Sequence, residues 1–150
     1  MVTALPITAS AFAPFGQLIT APDEVGGRSP TGGLSFDPNR PVVLSTTHAR
    51  RVEEPVVVRE LERHPHSSQT FLPLEVRRWI VIVSLTCNAT GVKAFEVGPG
   101  RGVTIARGVW HHGLTVLDDD ARFAVLMWKD GRTDDEFRPI DAIEVSCPAR

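Results

Sequence analysis

Residues 60–74, which read ELERHPHSSQTFLPL, decide the fold. His64, His66 and Gln69 lie close together there, directly ahead of an apolar run that resembles a strand. Neutral imidazole is the commonest side-chain metal ligand and is well suited to proton transfer near neutral pH, so this spacing indicates a chemical site. Residues 107–112, RGVWHH, place two more of the five histidines after a glycine turn. We therefore predict that two short segments together supply the site.

The rest of the chain reads mostly as short β-strands. The predicted strands cover residues 17–20, 42–46, 56–61, 69–74, 78–86, 92–97, 103–106, 114–117, 122–128 and 142–145. Gly, Pro, Asn and Asp separate these runs, and roughly 8–12 residues lie between the start of one strand and the next. This rhythm predicts a β-sandwich or β-barrel. One short helix is predicted over residues 8–15, with Thr8 as its cap.

Length and composition limit the class of protein. With 150 residues, of which 42% are apolar, the chain fits a single domain over residues 1–150 with a sizeable core. A net charge of −2 argues against nucleic-acid or membrane-surface binding. The longest apolar run, residues 79–85, is far shorter than the ~20 residues of a membrane helix. No basic residue precedes the first apolar stretch, so we expect no signal peptide and a cytoplasmic protein.

Two sequence features leave their interpretation open. Cys87 and Cys147 form neither a CxxC motif nor a disulfide pattern, which favours idle or buried thiols. Residues 23–41 are rich in Gly, Pro and Ser and lack periodicity. This segment fits a mobile lid over one mouth of the barrel and equally a disordered insertion.

The two histidine segments together resemble the two-part motif of the cupin superfamily. His64, His66 and Gln69 match its first part, with Gln69 where a glutamate is usual, and Gly108 to His111 matches the second. The resemblance implies an all-β fold, a cupin-like small β-barrel (double-stranded β-helix) with a short N-terminal helix. It also implies that His64, His66, Gln69 and His111 bind one divalent metal. Three histidines and an amide would suit Ni, Fe, Mn or Zn.

A narrower resemblance, to the ureidoglycolate lyase family, covers nearly the whole chain. It rests mainly on ERHP at residues 62–65, SQ at 68–69, FLPL at 71–74 and WHH at 110–112. The resemblance implies a carbon–nitrogen lyase of the amidine-lyase type, which cleaves (S)-ureidoglycolate to glyoxylate and urea in allantoin degradation, a branch of purine metabolism. A homodimer is usual in this family.

The chain departs from the family pattern at three charged features. The family usually has an Asn-x-Gly segment followed by an Arg where this chain has TGGLSF at residues 31–36. His48 stands where an Arg is usual, and Met127 and Trp128 stand where an Asp-Arg pair is usual. His48 and Lys93 could replace the missing arginines as carboxylate anchors, or could be ordinary exposed strand residues. The alternatives to a lyase are another metal-dependent cupin enzyme acting on a related small carboxylate (an isomerase, hydrolase or oxygenase) and a non-catalytic small-acid binding protein.

The expected chemistry needs two proton-transferring groups. Breakdown of ureidoglycolate removes a proton from its hydroxyl and adds one to the departing nitrogen. His64 and His111 are the candidates, either as acid and base or as ligands of a divalent metal that polarises the substrate oxygens; core histidines bonded to backbone are the alternative. Gln69 would bind the hydroxyl or act as a weak oxygen ligand.

Three further residues near the motifs have alternative roles. His66 is either a third imidazole ligand or a solvent-facing residue at a strand edge. His112 follows His111 directly, so in a strand the two face opposite ways, which leaves His112 as a supporting partner of the site or an interface residue. Trp110 either walls the substrate pocket or packs in the core.

Overall fold

The structure, a computed structural model, describes residues 1–149. Its strands are β1 (Val2–Thr3), β2 (Leu5–Pro6), β3 (Gly16–Thr20), β4 (Val42–Ala49), β5 (Val56–Arg63), β6 (Gln69–Glu75), β7 (Arg78–Ser84), β8 (Lys93–Glu96), β9 (Arg101–Ile105), β10 (Trp110–His111), β11 (Thr115–Leu117), β12 (Ala121–Trp128) and β13 (Glu136–Ser146). One helix, α1 (Ala9–Phe12), begins after Thr8, whose hydroxyl accepts a hydrogen bond from the Ala11 amide at 3.1 Å. A short 3-10 turn covers Ala89–Gly91.

The strands form two sheets. The eight-stranded sheet runs β1-β13-β5-β10-β7-β8-β2, with β11 also paired to β7, and the five-stranded sheet runs β3-β9-β6-β12-β4. Most neighbours are antiparallel, which is the pattern of double-sheet barrels of the jelly-roll and cupin kind. The predicted all-β, cupin-like barrel with a short N-terminal helix is confirmed.

Alternation along β7 creates two cores. Trp79, Val81 and Val83 point between the two sheets and pack with the aromatic residues Phe71 and Phe123. The intervening residues Ile80 and Ile82 pack on the outer face of the eight-stranded sheet, in a second buried cluster. Since successive strand residues face opposite ways, a continuous apolar strand such as β7 must be covered on both sides.

The register of β5 places polar side chains inside the barrel. Val58 and Leu61 both belong to the outer cluster, although strict alternation would send residues three apart to opposite faces. The pairing with β13 is also irregular here, between Pro139 and Ile143. Beyond this irregularity Glu62 lies opposite His111, which itself lies opposite the inward-facing Val83. Glu62 therefore faces the barrel interior.

Part of the segment 23–41 packs along the start of β6. Ser35 accepts a backbone hydrogen bond from Ser68 at 2.7 Å, and Asp37 donates one to His66 at 2.9 Å. The Phe36 ring stacks on Trp128 with 4.0 Å between ring centroids. These contacts tie the second half of the segment to the barrel wall, which fits neither a mobile lid nor a disordered insertion over those residues.

Of the helices within residues 1–149, none has the length and apolarity that spanning a bilayer requires.

Candidate active site

A buried cluster of Glu62, His64 and His111 lies inside the barrel. One potential ligand atom from each of these residues lies within 4.8 Å of the other two. The two imidazole rings are 5.0 Å apart between centroids, and the residues are only 4% and 1% exposed. The structure thus brings together one histidine from each of the two segments that the sequence singles out.

Strand pairing explains why these side chains meet. β10 lies between β5 and β7, so His111 is flanked by Glu62 on one side and Val83 on the other. The turn before β10 contains Gly108 at a φ of 77°, and its amide donates a hydrogen bond to the His64 carbonyl at 3.0 Å. Glycine adopts such a left-handed conformation without a steric penalty. The RGVWHH segment is therefore fixed directly against the end of β5.

Both histidines are oriented through their Nδ1 atoms. His64 Nδ1 is 2.8 Å from the Asp135 Oδ1 atom, and His111 Nδ1 is 3.0 Å from the Val109 carbonyl oxygen. A carbonyl and a carboxylate can only accept, so each Nδ1 carries the hydrogen and each Nε2 presents a lone pair. Both Nε2 atoms are buried and without a hydrogen-bond partner in residues 1–149. This is how proteins commonly hold histidines that bind a metal or accept a proton.

The electrostatics of the cluster favour neutral imidazole beside charged carboxylate. Burial lowers the pKa of His64 below its ordinary value and the neighbouring His111 lowers it further, while Glu62 and Asp135 oppose the shift without reversing it. Burial alone would raise the pKa of the Glu62 carboxyl, but its contact with His111 and the nearby imidazoles outweigh burial and leave that pKa low. His111 Nε2 lies 3.5 Å from Glu62 Oε1. A proton that reaches His111 is therefore stabilised by an adjacent negative charge.

A cavity of about 420 Å³ opens beside the cluster, between the two sheets. Glu62 and Gln69 both line it. The Gln69 amide nitrogen approaches Met127 Sδ at 3.4 Å, and its carbonyl oxygen is buried without a partner in the described chain. A small polar molecule in this cavity would find the Gln69 carbonyl oxygen available as an acceptor.

His66 does not join the cluster. It lies in the turn after β5, where its side chain is 44% exposed and its Nε2 atom is 3.8 Å from Asp134. The predicted metal set of His64, His66, Gln69 and His111 therefore needs correction, since the clustered carboxylate of Glu62 takes the place assigned to His66. The physical reason is that the chain leaves the strand at His64, so residues two apart no longer share a face.

The two predicted carboxylate anchors lie away from the cavity. His48 is exposed and lies opposite Arg122 in the pairing of β4 with β12. The adjacent pair is Thr47 and Phe123, and Phe123 faces the interior. Successive strand residues face opposite ways, so the His48 side chain faces outward from the five-stranded sheet. This placement contradicts the assignment of His48 as an anchor. Lys93 lies opposite Val83 at the exposed start of β8 and does not line the cavity.

Trp110 and His112 flank His111 and face away from the barrel interior. Trp110 is buried in the outer cluster, with the Arg63 guanidinium 4.6 Å from its ring centroid, so it packs in that core and does not wall the cavity. His112 Nδ1 lies 3.0 Å from the Thr115 hydroxyl. Burial lowers the pKa of His112, and its charge interaction with Glu62 opposes that shift. The His112 side chain thus lies near the cluster but on the outer face of the eight-stranded sheet.

Three residues important to the site are not identified by the sequence reasoning. Glu62 precedes His64 by two residues, a spacing that in a strand places both side chains on the same face. The alternating charges around Glu62 instead favoured a solvated surface. Asp135 belongs to an acidic run that predicts a solvated turn, yet Asp135 orients His64 and the side chain of Asp134 is only 2% exposed. Lys129 lines the cavity just beyond the end of β12.

Comparisons with known proteins point to one family. The sequence model described as ureidoglycolate lyase matches residues 1–146. A ureidoglycolate lyase from Mesorhizobium japonicum is 32% identical, covering 98% of each chain, and one from Rhodobacter capsulatus is 36% identical, covering 81% of this chain and 82% of its own. A solved structure of an oxalate decarboxylase aligns with a TM-score of 0.46 at 13% identity, over 81% of this chain and 28% of that one.

Proposed function

Because the chain belongs to the ureidoglycolate lyase family, we propose that it cleaves (S)-ureidoglycolate to glyoxylate and urea. This would make it a carbon–nitrogen lyase of the amidine-lyase type, with a place in allantoin degradation. The observation that carries the proposal is the pair of buried imidazoles, His64 and His111, beside Glu62 and a cavity of about 420 Å³. The cavity is large enough for a molecule of a few carbon atoms, and the imidazoles supply the proton transfers that the cleavage requires.

The proton balance of the cleavage can be met by this cluster alone. Ureidoglycolate carries a hydroxyl and a ureido nitrogen on the same carbon, so the carbon–nitrogen bond breaks as the hydroxyl becomes the aldehyde of glyoxylate. A neutral imidazole Nε2 accepts the hydroxyl proton, and an imidazolium returns a proton to the departing urea nitrogen. Glu62, at 3.5 Å from His111 Nε2, stabilises the imidazolium formed in between.

The same residues fit a divalent metal. Two buried Nε2 atoms without partners and an ionised carboxylate are the donor set that first-row divalent ions favour. Glu62, His64 and His111 would hold the ion, with Asp135 and the Val109 carbonyl fixing the two rings. When bound, the metal would polarise the hydroxyl oxygen of the substrate. Two imidazoles and one carboxylate are compatible with Ni, Fe, Mn or Zn.

The test is turnover of (S)-ureidoglycolate by the purified protein, with urea and glyoxylate quantified separately and with elemental analysis of bound metal. A reaction without protein is subtracted, since this hemiaminal also decays spontaneously. We expect equal molar release of both products, and faster release from the (S) than from the (R) enantiomer. Absence of protein-dependent urea release, with and without added divalent metals, would refute the lyase assignment.

A homodimer, usual in the family, has a suitable surface on the five-stranded sheet. Val42, Leu44 and Leu72 are 58%, 69% and 38% exposed on its outer face, and β4 is an edge strand. We expect a second copy of the chain to cover this face, since apolar edges of this kind otherwise promote aggregation. Light scattering should report a dimer for the wild type and for the control Val57→Glu, and a monomer for Leu44→Glu. A monomeric wild type at micromolar concentration would contradict this assignment.

A further inference from the structure

The cavity beside the histidine cluster contains one cationic side chain, that of Lys129. Among the described residues that line it, only Glu62 and Lys129 are charged, and no carboxylate in residues 1–149 forms an ion pair with Lys129. We propose that Lys129 binds the carboxylate of the substrate and so fixes the direction in which ureidoglycolate enters the barrel. This inference rests on the proposed function and assigns a residue for its substrate specificity.

The backbone of β12 determines where Lys129 points. Phe123, Val125 and Met127 face the interior in alternation, and Lys129 is the next residue in that series. The Lys129 amide donates a hydrogen bond to the Pro41 carbonyl at 2.9 Å, which continues the pairing of β4 with β12 by one residue. The extended geometry therefore persists to Lys129, and its side chain enters the cavity at the end where β6 begins.

The charges in the cavity give the substrate one favourable orientation. A carboxylate near Glu62 would be repelled, whereas near Lys129 it gains a cation. The Gln69 amide nitrogen contacts Met127, which precedes Lys129 by two residues and faces the interior as Lys129 does. The carbonyl oxygen of Gln69 has no partner among the described residues, so it is available to the polar middle of the ligand. The hydroxyl and ureido groups are then directed toward Glu62, whose carboxylate lies 3.5 Å from His111 Nε2.

Other cations near the barrel form ion pairs with carboxylates or lie outside the cavity. Arg40 is buried and lies within 3.7 to 3.9 Å of Asp37, Asp130 and Asp134, so its charge is already balanced. Lys93 lies at the exposed start of β8, outside the cavity. Arg59 lines a second pocket with Glu62 and His111, outside this cavity. Lys129 is thus the one cation among the described residues that line the cavity between the sheets.

Two non-cleavable probes test the assignment by calorimetry on the purified protein. N-carbamoylglycine keeps the carboxylate and ureido groups of the substrate but lacks the hydroxyl, and N-carbamoylglycinamide replaces the carboxylate with an amide. We expect the wild type to bind the acid roughly 10–100-fold more tightly than the amide, as for loss of one charged hydrogen bond. Lys129→Met should abolish this difference, Lys129→Arg should retain most of it, and the matched control Lys93→Met should behave like the wild type.

Turnover separates this inference from the lyase assignment. In Lys129→Met, KM for ureidoglycolate should rise roughly 10–100-fold while kcat changes little, since the residue contacts the carboxylate and not the breaking bond. If the wild type releases no urea but its preference for N-carbamoylglycine depends on Lys129, the lyase assignment is wrong and the assignment of Lys129 as the carboxylate-binding residue is supported. A preference for the acid that survives in Lys129→Met, or that is missing in the wild type, would overturn the anchor.

Discussion

Replacing His111 and His66 separately by glutamine distinguishes the observed cluster from the four-residue set that the sequence motif suggests. His111 is 1% exposed and its Nε2 atom faces Glu62, whereas the His66 side chain is 44% exposed and lies outside the cluster. Glutamine retains a polar group of similar length at both positions. The two substitutions are therefore matched in chemistry and differ in location.

The magnitudes follow from these environments. Removal of a positioned acid–base group typically costs about 10²–10⁴-fold in rate, so His111→Gln should lower kcat/KM by at least about 100-fold. His66 makes a partly solvated contact with Asp134 at 3.8 Å, and pairs of this kind contribute about 0–1 kcal/mol. His66→Gln should therefore change kcat/KM by less than about 5-fold.

The assay is urea release at saturating and limiting substrate, accompanied by metal content and thermal unfolding of each variant. His111→Gln should also bind divalent metal more weakly than the wild type, whereas His66→Gln should retain its affinity. Unchanged thermal unfolding would exclude a folding defect as the cause. If His66→Gln lost activity and metal to the same extent as His111→Gln, the assignment of Glu62 in place of His66 would be wrong.

Two further predictions concern stability. The pKa of His64 is lowered in the folded protein, so as pH falls through about 6.5 the unfolded chain takes up a proton before the folded chain does. The free energy of unfolding of metal-free protein should therefore fall by up to about 1.4 kcal/mol per pH unit because of this group. Urea denaturation of His64→Gln should show a weaker dependence of stability on pH than that of the wild type. A slope equal to that of the wild type would contradict this. Arg40→Met leaves the buried carboxylate of Asp134 without its cation and should destabilise the fold by about 3–5 kcal/mol. Combining Arg40→Met with Asp134→Leu removes the unpaired charge and should recover much of that stability. Denaturation midpoints that show no recovery in the double variant would contradict the pairing.

Strand alternation and the spacing of turn residues predicted a β-sandwich or β-barrel, and the resemblance to the cupin motif narrowed that prediction to a barrel. The apolar run over residues 78–86 predicts a strand, which is confirmed by β7 (Arg78–Ser84); the structure shows that this strand is buried on both faces. The helix prediction over residues 8–15 was too long, because only Ala9–Phe12 is helical, although its cap at Thr8 is as predicted. The strand predicted over residues 142–145 is part of the longer β13, whose irregular pairing and Pro139 obscured its pattern in the sequence.

The site could be located from the sequence but its members could not all be assigned. His64 and His111 follow from the two motifs, since both segments have to meet in a small barrel. Glu62 was missed although it precedes His64 by two residues, because its inward direction depends on the irregularity between Val58 and Leu61, which is a property of strand pairing. Lys129 was missed because it lies one residue past the end of β12, where alternation was not extended.

The hydrogen bonds behind the two imidazoles explain why they remain reactive. Asp135 and the Val109 carbonyl each hold an Nδ1 hydrogen, which directs two Nε2 lone pairs toward the same small volume. Two converging lone pairs repel each other unless an electrophile lies between them, and a proton, a metal ion or a substrate hydroxyl would serve. The carboxylate of Glu62 increases the attraction for any of these. The acidic turn at Asp135, which resembles an ordinary solvated loop in sequence, therefore fixes the orientation of the His64 ring, while burial and the neighbouring His111 keep the pKa of His64 low.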